Sequence, residues 1–193
     1  MLGLFLAGVQ NNEIDDYIIK LYCPTNIIYM QTRGEIFEKA AHTLSDLNFA
    51  IVDLDDNRPW GGFFVIDEEQ AARFAQHYFP KENLDALKIT NKLSPKILFV
   101  APGARLSWQY HHRRAEIWKC ISGTVGVVTS DTDEEKTQHT LKEGEIIKLK
   151  QGERHRLVGL DDWGVLAEIW LHTDESNPSN EDDIVRVQDD FGR

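Results

Sequence analysis

The stretch 103-GARLSWQYHHRRAEIWKCISG-123 decides how the rest of the chain is read. It sets Gln109, His111, His112 and Glu116 between apolar runs, so its polar groups belong either to a metal site or to a solvated turn. On a strand alternate residues share a face, which pairs Gln109 with His111 and groups Glu116 with Trp118 and Cys120. The two sets differ in parity. A bulge or tight turn within 112-HRRA-115 must therefore reset the face before they can converge. The same parity turns His112 away from the others. Downstream, 152-GERHRL-157 opens a further strand and brings in His155. Gln109, His111, Glu116 and His155 together offer two nitrogen and two oxygen donors. That set suits one divalent ion, with zinc the first choice and iron, manganese, cobalt or nickel also compatible, and leaves positions open for a ligand. A lone histidine is more often a hydrogen-bonded core or surface residue; the joint spacing is what favours a metal site here.

Working outward, short β-rich runs occur at 96-KILFVA-101, 116-EIWKCI-121, 124-TVGVVTS-130, 145-EIIKLK-150, 154-RHRLVG-159 and 164-GVLAEIWLH-172. Pro102–Gly103, Ser122–Gly123, Gly144 and Gly152 punctuate them, the pattern of an antiparallel sandwich or barrel. A polar segment, 173-TDESNPSNEDD-183, leads to a strand-like 184-IVRV-187. Residues 30–95 read differently. Ile36, Ala40, Leu44 and Leu47 carry helical spacing. A short aromatic strand lies near 60–66, and 67-DEEQAARFAQHYF-79 opens with acids and stops before Pro80, as a helix does. The expected organisation is a β-domain over 96–193 packed as one unit with a helical elaboration over 30–95.

The chain of 193 residues is 41% hydrophobic and 27% charged, with a net charge of −11. One well-buried domain fits that length. The acidic balance argues against a nucleic-acid-binding or basic membrane-surface face. The acidic clusters at 131–135 and 161–162 read as solvated loops. Two cysteines, Cys23 and Cys120, suggest no disulfide framework, and a reducing cytoplasm is the expected compartment. The run 1-MLGLFLAGV-9 lacks a basic n-region and is too short to span a bilayer. Residues 1–29 are expected to be a dispensable leader or non-native extension, with Met30 as the alternative start.

The spacing resembles that of the cupin superfamily. Its first motif is matched by Gly103, Gln109, His111, Glu116 and Gly123, and its second by Gly144, Lys150, Gly152 and His155, with Lys150 where a proline is usual. The resemblance implies an all-β cupin barrel, a jelly-roll sandwich of antiparallel sheets, here with added N-terminal helices. Glutamine at the first ligand position resembles the phosphomannose isomerases, in particular the cupin module of the type II enzymes. The segments 58-RPWGGF-63, 102-PGARLSWQYHHRRAEIW-118, 122-SGTVGVV-128, 152-GERHRL-157 and 181-EDDIVRVQDDFGR-193 carry that likeness. Two residues depart from it: Ile117 stands where the family usually has a histidine, and Trp108 where it usually has a leucine. Both departures put the identity of the sugar phosphate in question more than the metal site. No glycine-rich nucleotidyltransferase signature precedes the barrel, so guanylyltransferase activity is not expected.

What the resemblance implies is metal-dependent aldose–ketose isomerisation of a sugar phosphate through a cis-enediol, with mannose 6-phosphate as substrate and a homodimer as the assembly. Ser107 and Arg114 become candidate phosphate contacts, and Trp118 a lumen-facing substrate contact. Arg186 is the preferred anion-binding arginine, although its acidic neighbours also suit a surface ion pair. Glu168, on a strand of mixed character, is the candidate proton-transfer base. Trp108, Trp118 and Trp170 could wall a sugar site, core packing being the default for the first and last. Two other classes compete: a non-catalytic sugar-binding or structural cupin, and an iron-dependent oxygenase, which the ligand set disfavours.

Overall fold

The computed structural model describes residues 30–83 and 90–192, together with the backbone of two short paired strands, Tyr22–Cys23 (β1) and Asn26–Ile27 (β2). The leader expected over residues 1–29 otherwise lies outside the described residues. Helix α1, Arg33–Asp46, starts where Thr32 and Glu35 satisfy each other's backbone N–H groups in a capping box. Ile36, Phe37 and Leu44 form its buried stripe. Strands β3, Ile51–Arg58, and β4, Gly61–Ile66, form a hairpin, and a 3-10 turn at Glu68–Gln70 leads into helix α2, Ala71–Tyr78.

The remaining strands are β5 (Lys96–Val100), β6 (Trp108–His111), β7 (Arg114–Ser122), β8 (Thr124–Ser130), β9 (His139–Lys142), β10 (Ile146–Leu149), β11 (Arg154–Gly159), β12 (Gly164–His172) and β13 (Ile184–Gln188). They form two antiparallel sheets with strand orders β10-β7-β12-β5-β4-β3 and β13-β6-β11-β8-β9. Period-two alternation assigns each side of the six-stranded sheet. From β5, Leu98 and Val100 join Trp118, Cys120 and Leu166 and meet Val125, Val127 and Leu157 of the other sheet. Ile97 and Phe99 face outward with Ile117, Val165, Ala167 and Ile169, and there they pack on Phe37, Leu44, Phe74 and Tyr78 of the helices. The expected sandwich with added helices is therefore observed, and the helices cover one outer face of it.

The strand expected near 60–66 is observed as β4, but residues 51–66 hold more than that one strand. They supply two strands, and β4 pairs with β5, so this part of the N-terminal region extends the barrel sheet rather than merely flanking it. β3 escapes the periodicity reading because Asp53, Asp55 and Asp56 interrupt any apolar alternation. As an edge strand with Val52 and Leu54 exposed, it does not need one. Likewise β9 buries only Leu141. No helix among the described residues is long and apolar enough to cross a membrane.

The turn between β7 and β8 is tightly specified. Gly123 has φ +78°, and a Cβ there would lie 2.4 Å from the Trp163 carbonyl oxygen. Gly123→Ala is expected to destabilise the fold by roughly 2–4 kcal/mol, combining left-handed strain with a backbone clash. Urea unfolding checks this. A loss below the roughly 0.5 kcal/mol typical of an unconstrained surface site would mean the turn is not constrained.

Candidate metal centre

Strand β6 ends at His111, the chain turns through His112–Arg113, and β7 begins at Arg114. That turn resets side-chain parity as the sequence requires, leaving His112 exposed while His111 and Glu116 are both buried. On the facing side of β6, β11 places His155 directly opposite Gln109 in register. His111, Glu116 and His155 thereby converge, with one ligand atom from each lying within 4.8 Å of the others.

The hydrogen-bond pattern around this cluster is incomplete in a specific way. His155 sets its Nδ1 3.0 Å from the Glu153 carbonyl, an arrangement that makes Nδ1–H the donor and leaves Nε2 with its lone pair. That Nε2 and Glu116 Oε2 are both buried without a hydrogen-bond partner and stand 3.4 Å apart. Two buried acceptors facing each other lack a shared positive centre, and a divalent ion supplies one. On the other side, Glu116 Oε1 accepts from Arg114 Nε at 2.7 Å and lies 3.1 Å from His111 Nε2. Burial acts to raise the Glu116 pKa, but His111 and the Arg114 guanidinium outweigh it and hold the carboxyl well below the ordinary range. Burial lowers the His111 pKa against the opposing pull of Glu116, in the direction of the neutral imidazole that a metal ligand supplies. Ser107 Oγ donates to Gln109 Oε1 at 2.6 Å, fixing which end of the amide faces its neighbour. The residues fit a divalent ion held by His111, Glu116 and His155, with Gln109 beside them.

A pocket opens from this cluster between the sheets. Its walls include Gln109, Glu116, Trp118, Glu168, Trp170 and Arg186. Glu168, buried on β12, accepts from Trp118 Nε1 at 2.8 Å. Burial and then the neighbouring Glu116 charge push its pKa up to about 7. Arg186 stands opposite Gln109 in the β13–β6 ladder and is exposed. Of the acids near it in sequence, Asp183 pairs with Arg113, Glu181 with Lys96 and Asp190 with Arg105.

Four of the singled-out residues are engaged by partners within the protein. Arg114, expected to contact phosphate, has its guanidinium committed to Glu116, His111, Ser179 and the Asn180 carbonyl, so it serves as the buried counter-charge of the cluster. Ser107 is committed to Gln109 and Trp118 to Glu168. Trp170 is buried and packed, the default reading for it. The Arg114 guanidinium lies 3.6 Å and Lys96 Nζ 4.0 Å from its ring centroid. The acidic loop 131–135 is exposed yet anchored, since Asp133 accepts from Arg154 and from Trp108 Nε1, and Glu135 from Arg156.

Neither of the two family departures lines the pocket. Trp108 is buried on the side opposite Gln109, and Ile117 lies in the helix-covered core. Ile117→His is expected to cost roughly 2–4 kcal/mol by burying an imidazole among apolar side chains. Metal content, measured by elemental analysis, should not change; a changed metal content would place residue 117 in the site. Polar pocket residues that the sequence did not single out as site residues include Lys96, Trp60, Arg58 and Glu181. Lys96 carried one signal: it is a lysine in step with the inward Leu98 and Val100.

Comparisons with known proteins bear on this arrangement. Alginate biosynthesis protein AlgA of Pseudomonas aeruginosa is 27% identical over 168 residues, covering 87% of this chain and 31% of AlgA. Xanthan biosynthesis protein XanB of Xanthomonas campestris pv. campestris is 35% identical over 116 residues, covering 60% of this chain and 23% of XanB. The chain thus spans less than a third of the length of either relative. Among solved structures, the capsular polysaccharide assembling protein CapF of Staphylococcus aureus superposes with a TM-score of 0.48 at 15% identity, covering 69% of this chain and 34% of that one. The family model described as mannose-6-phosphate isomerase C-terminal matches residues 66–189, a span that holds Gln109, His111, Glu116 and His155, and the chain belongs to that family.

Proposed function

We propose that this chain is a metal-dependent sugar-phosphate isomerase that interconverts mannose 6-phosphate and fructose 6-phosphate through a cis-enediol. The observation that carries this reading is that Glu116, whose orphaned Oε2 stands 3.4 Å from the orphaned His155 Nε2, shares one pocket with a second buried carboxyl, Glu168. A bound divalent ion, zinc by the donor set, would polarise the sugar carbonyl and stabilise the enediolate. The chain's own residues do the rest. Glu168 takes the proton from the carbon beside the carbonyl and returns it to the neighbouring carbon. A carboxyl with a pKa of about 7 is suited to both directions at neutral pH. Trp118 fixes the carboxyl's orientation through its indole N–H. Arg186, exposed on the pocket wall, supplies a positive charge that draws the anionic sugar phosphate towards the pocket.

The test is a coupled isomerase assay over mannose, glucose and heptose phosphates, with and without EDTA. EDTA-sensitive turnover of mannose 6-phosphate is expected. Absence of turnover with every sugar phosphate by metal-loaded protein would defeat the reading.

A further inference from the structure

Across the six-stranded sheet, Trp118 of β7, Glu168 of β12 and Lys96 of β5 stand opposite one another in register. With strands about 4.8 Å apart, Lys96 is roughly 10 Å along the sheet from the strand that carries Glu116, with Glu168 between them. Lys96 is only 7% exposed. An ammonium so placed requires a counter-charge. Its ion-pair partner among the described residues is Glu181, on the 3-10 turn Glu181–Asp183. The two partners are unequal, because the Glu181 side chain is 63% exposed and that of Lys96 is 9% exposed. The turn itself is anchored on both sides of Glu181 without its help. Ser179 Oγ accepts from Arg114 and donates to Asp183, and Asp183 also binds the backbone N–H of Arg113. The Glu181 carboxylate can therefore leave Lys96 while the tail stays in place.

A second observation points to an acceptor-rich ligand at this end. Trp60 and Trp170 both line the pocket, and both indole nitrogens are buried without a hydrogen-bond partner. An unmet buried N–H costs about 1–3 kcal/mol, so each favours a ligand that brings acceptors. Trp170 is also the ring against which Lys96 packs. Trp60 sits in the β3–β4 turn, whose carbonyls at Asp56, Arg58 and Gly61 are held by Arg33 of α1.

We infer that Lys96 is the receptor for the anionic group of the ligand and that Glu181 is its displaceable internal counter-ion. A phosphate monoester entering the pocket takes the place of the Glu181 carboxylate on Lys96, and its oxygens accept from the neighbouring indole N–H groups. The metal end and the anion end then hold opposite ends of one elongated ligand, with Glu168 between them. The ligand's identity as a sugar phosphate rests on the function proposed above; the anion subsite does not.

Isothermal titration with inorganic phosphate, on protein carrying its metal, separates the two. Lys96→Gln is expected to weaken phosphate binding roughly tenfold or more, as loss of a buried charge partner does. Glu181→Gln is expected to tighten it about fivefold, since the competing carboxylate is gone. Metal content should be unchanged in both variants. Unchanged affinity in Lys96→Gln, or unchanged or weaker affinity in Glu181→Gln, overturns the inference. If Lys96→Gln loses cooperative melting, the exposed Glu181→Gln variant decides alone. Phosphate binding that shifts as described in a protein that turns over no sugar phosphate would retain the subsite and reject the isomerase. Turnover of mannose 6-phosphate with phosphate binding insensitive to both variants would do the reverse.

Discussion

His155→Ala is expected to abolish stoichiometric metal binding and lower isomerase turnover by roughly 1,000-fold, about 4 kcal/mol of lost charge stabilisation, while the barrel remains folded. The expectation follows from how the imidazole is used. Its Nδ1 is spent on the Glu153 carbonyl, and its Nε2 has no protein hydrogen-bond partner. Removing the ring therefore costs the fold one peripheral hydrogen bond and some packing against Trp118, whose ring centroid lies 5.4 Å away. The core around Leu157, Val127 and Leu166 is untouched. Elemental analysis reads the metal, circular dichroism the fold, and the coupled assay the activity. Stoichiometric metal retained by folded His155→Ala protein would contradict the ligand assignment.

Glu168→Gln is expected to lower kcat by about 100- to 10,000-fold, the range for removing a positioned general base. The amide keeps the shape of the side chain, and its oxygen can still accept from Trp118 Nε1, so metal content and melting should hold. The pH profile is the finer readout. A base must be deprotonated to act, and burial beside Glu116 raises the Glu168 pKa to about 7. In the wild type kcat/KM should therefore rise as pH increases through neutrality, and Glu168→Gln should lose that limb. A Glu168→Gln variant with full kcat would remove Glu168 from proton transfer.

The convergence of His111, Glu116 and His155 was legible because each residue sits at a fixed offset from a turn glycine, and turns set strand register. Gly123, held at φ +78° against the Trp163 carbonyl, shows why such a position tolerates so little. Side-chain direction along one strand was legible too: period two places Trp118 and Cys120 inward with Glu116. What a strand faces across the fold was not. Ile117 reads as a departure within a functional motif until α1 and α2 are seen to cover that face of the sheet, where an apolar residue belongs. Arg114 reads as a free cation beside the site, because its partners Ser179 and Asn180 lie more than sixty residues away in sequence. Lys96 and Trp60 reach the pocket only through the pairing of β4 and β12 with β5, a register that local pattern does not encode. Charge along an edge strand hides β3 for a similar reason. Its pairing with β4 makes it a strand, and its own alternation does not.

The most direct measurement is the conversion of mannose 6-phosphate in deuterated water, followed by NMR, with metal-loaded and EDTA-stripped protein side by side. The expected result is fructose 6-phosphate formed only by the metal-loaded protein, with solvent deuterium entering the receiving carbon in those turnovers where the Glu168 carboxyl exchanges its proton with water before returning it. No conversion by metal-loaded protein, or equal conversion by the stripped protein, would contradict a metal-assisted proton transfer at the His111–Glu116–His155 centre.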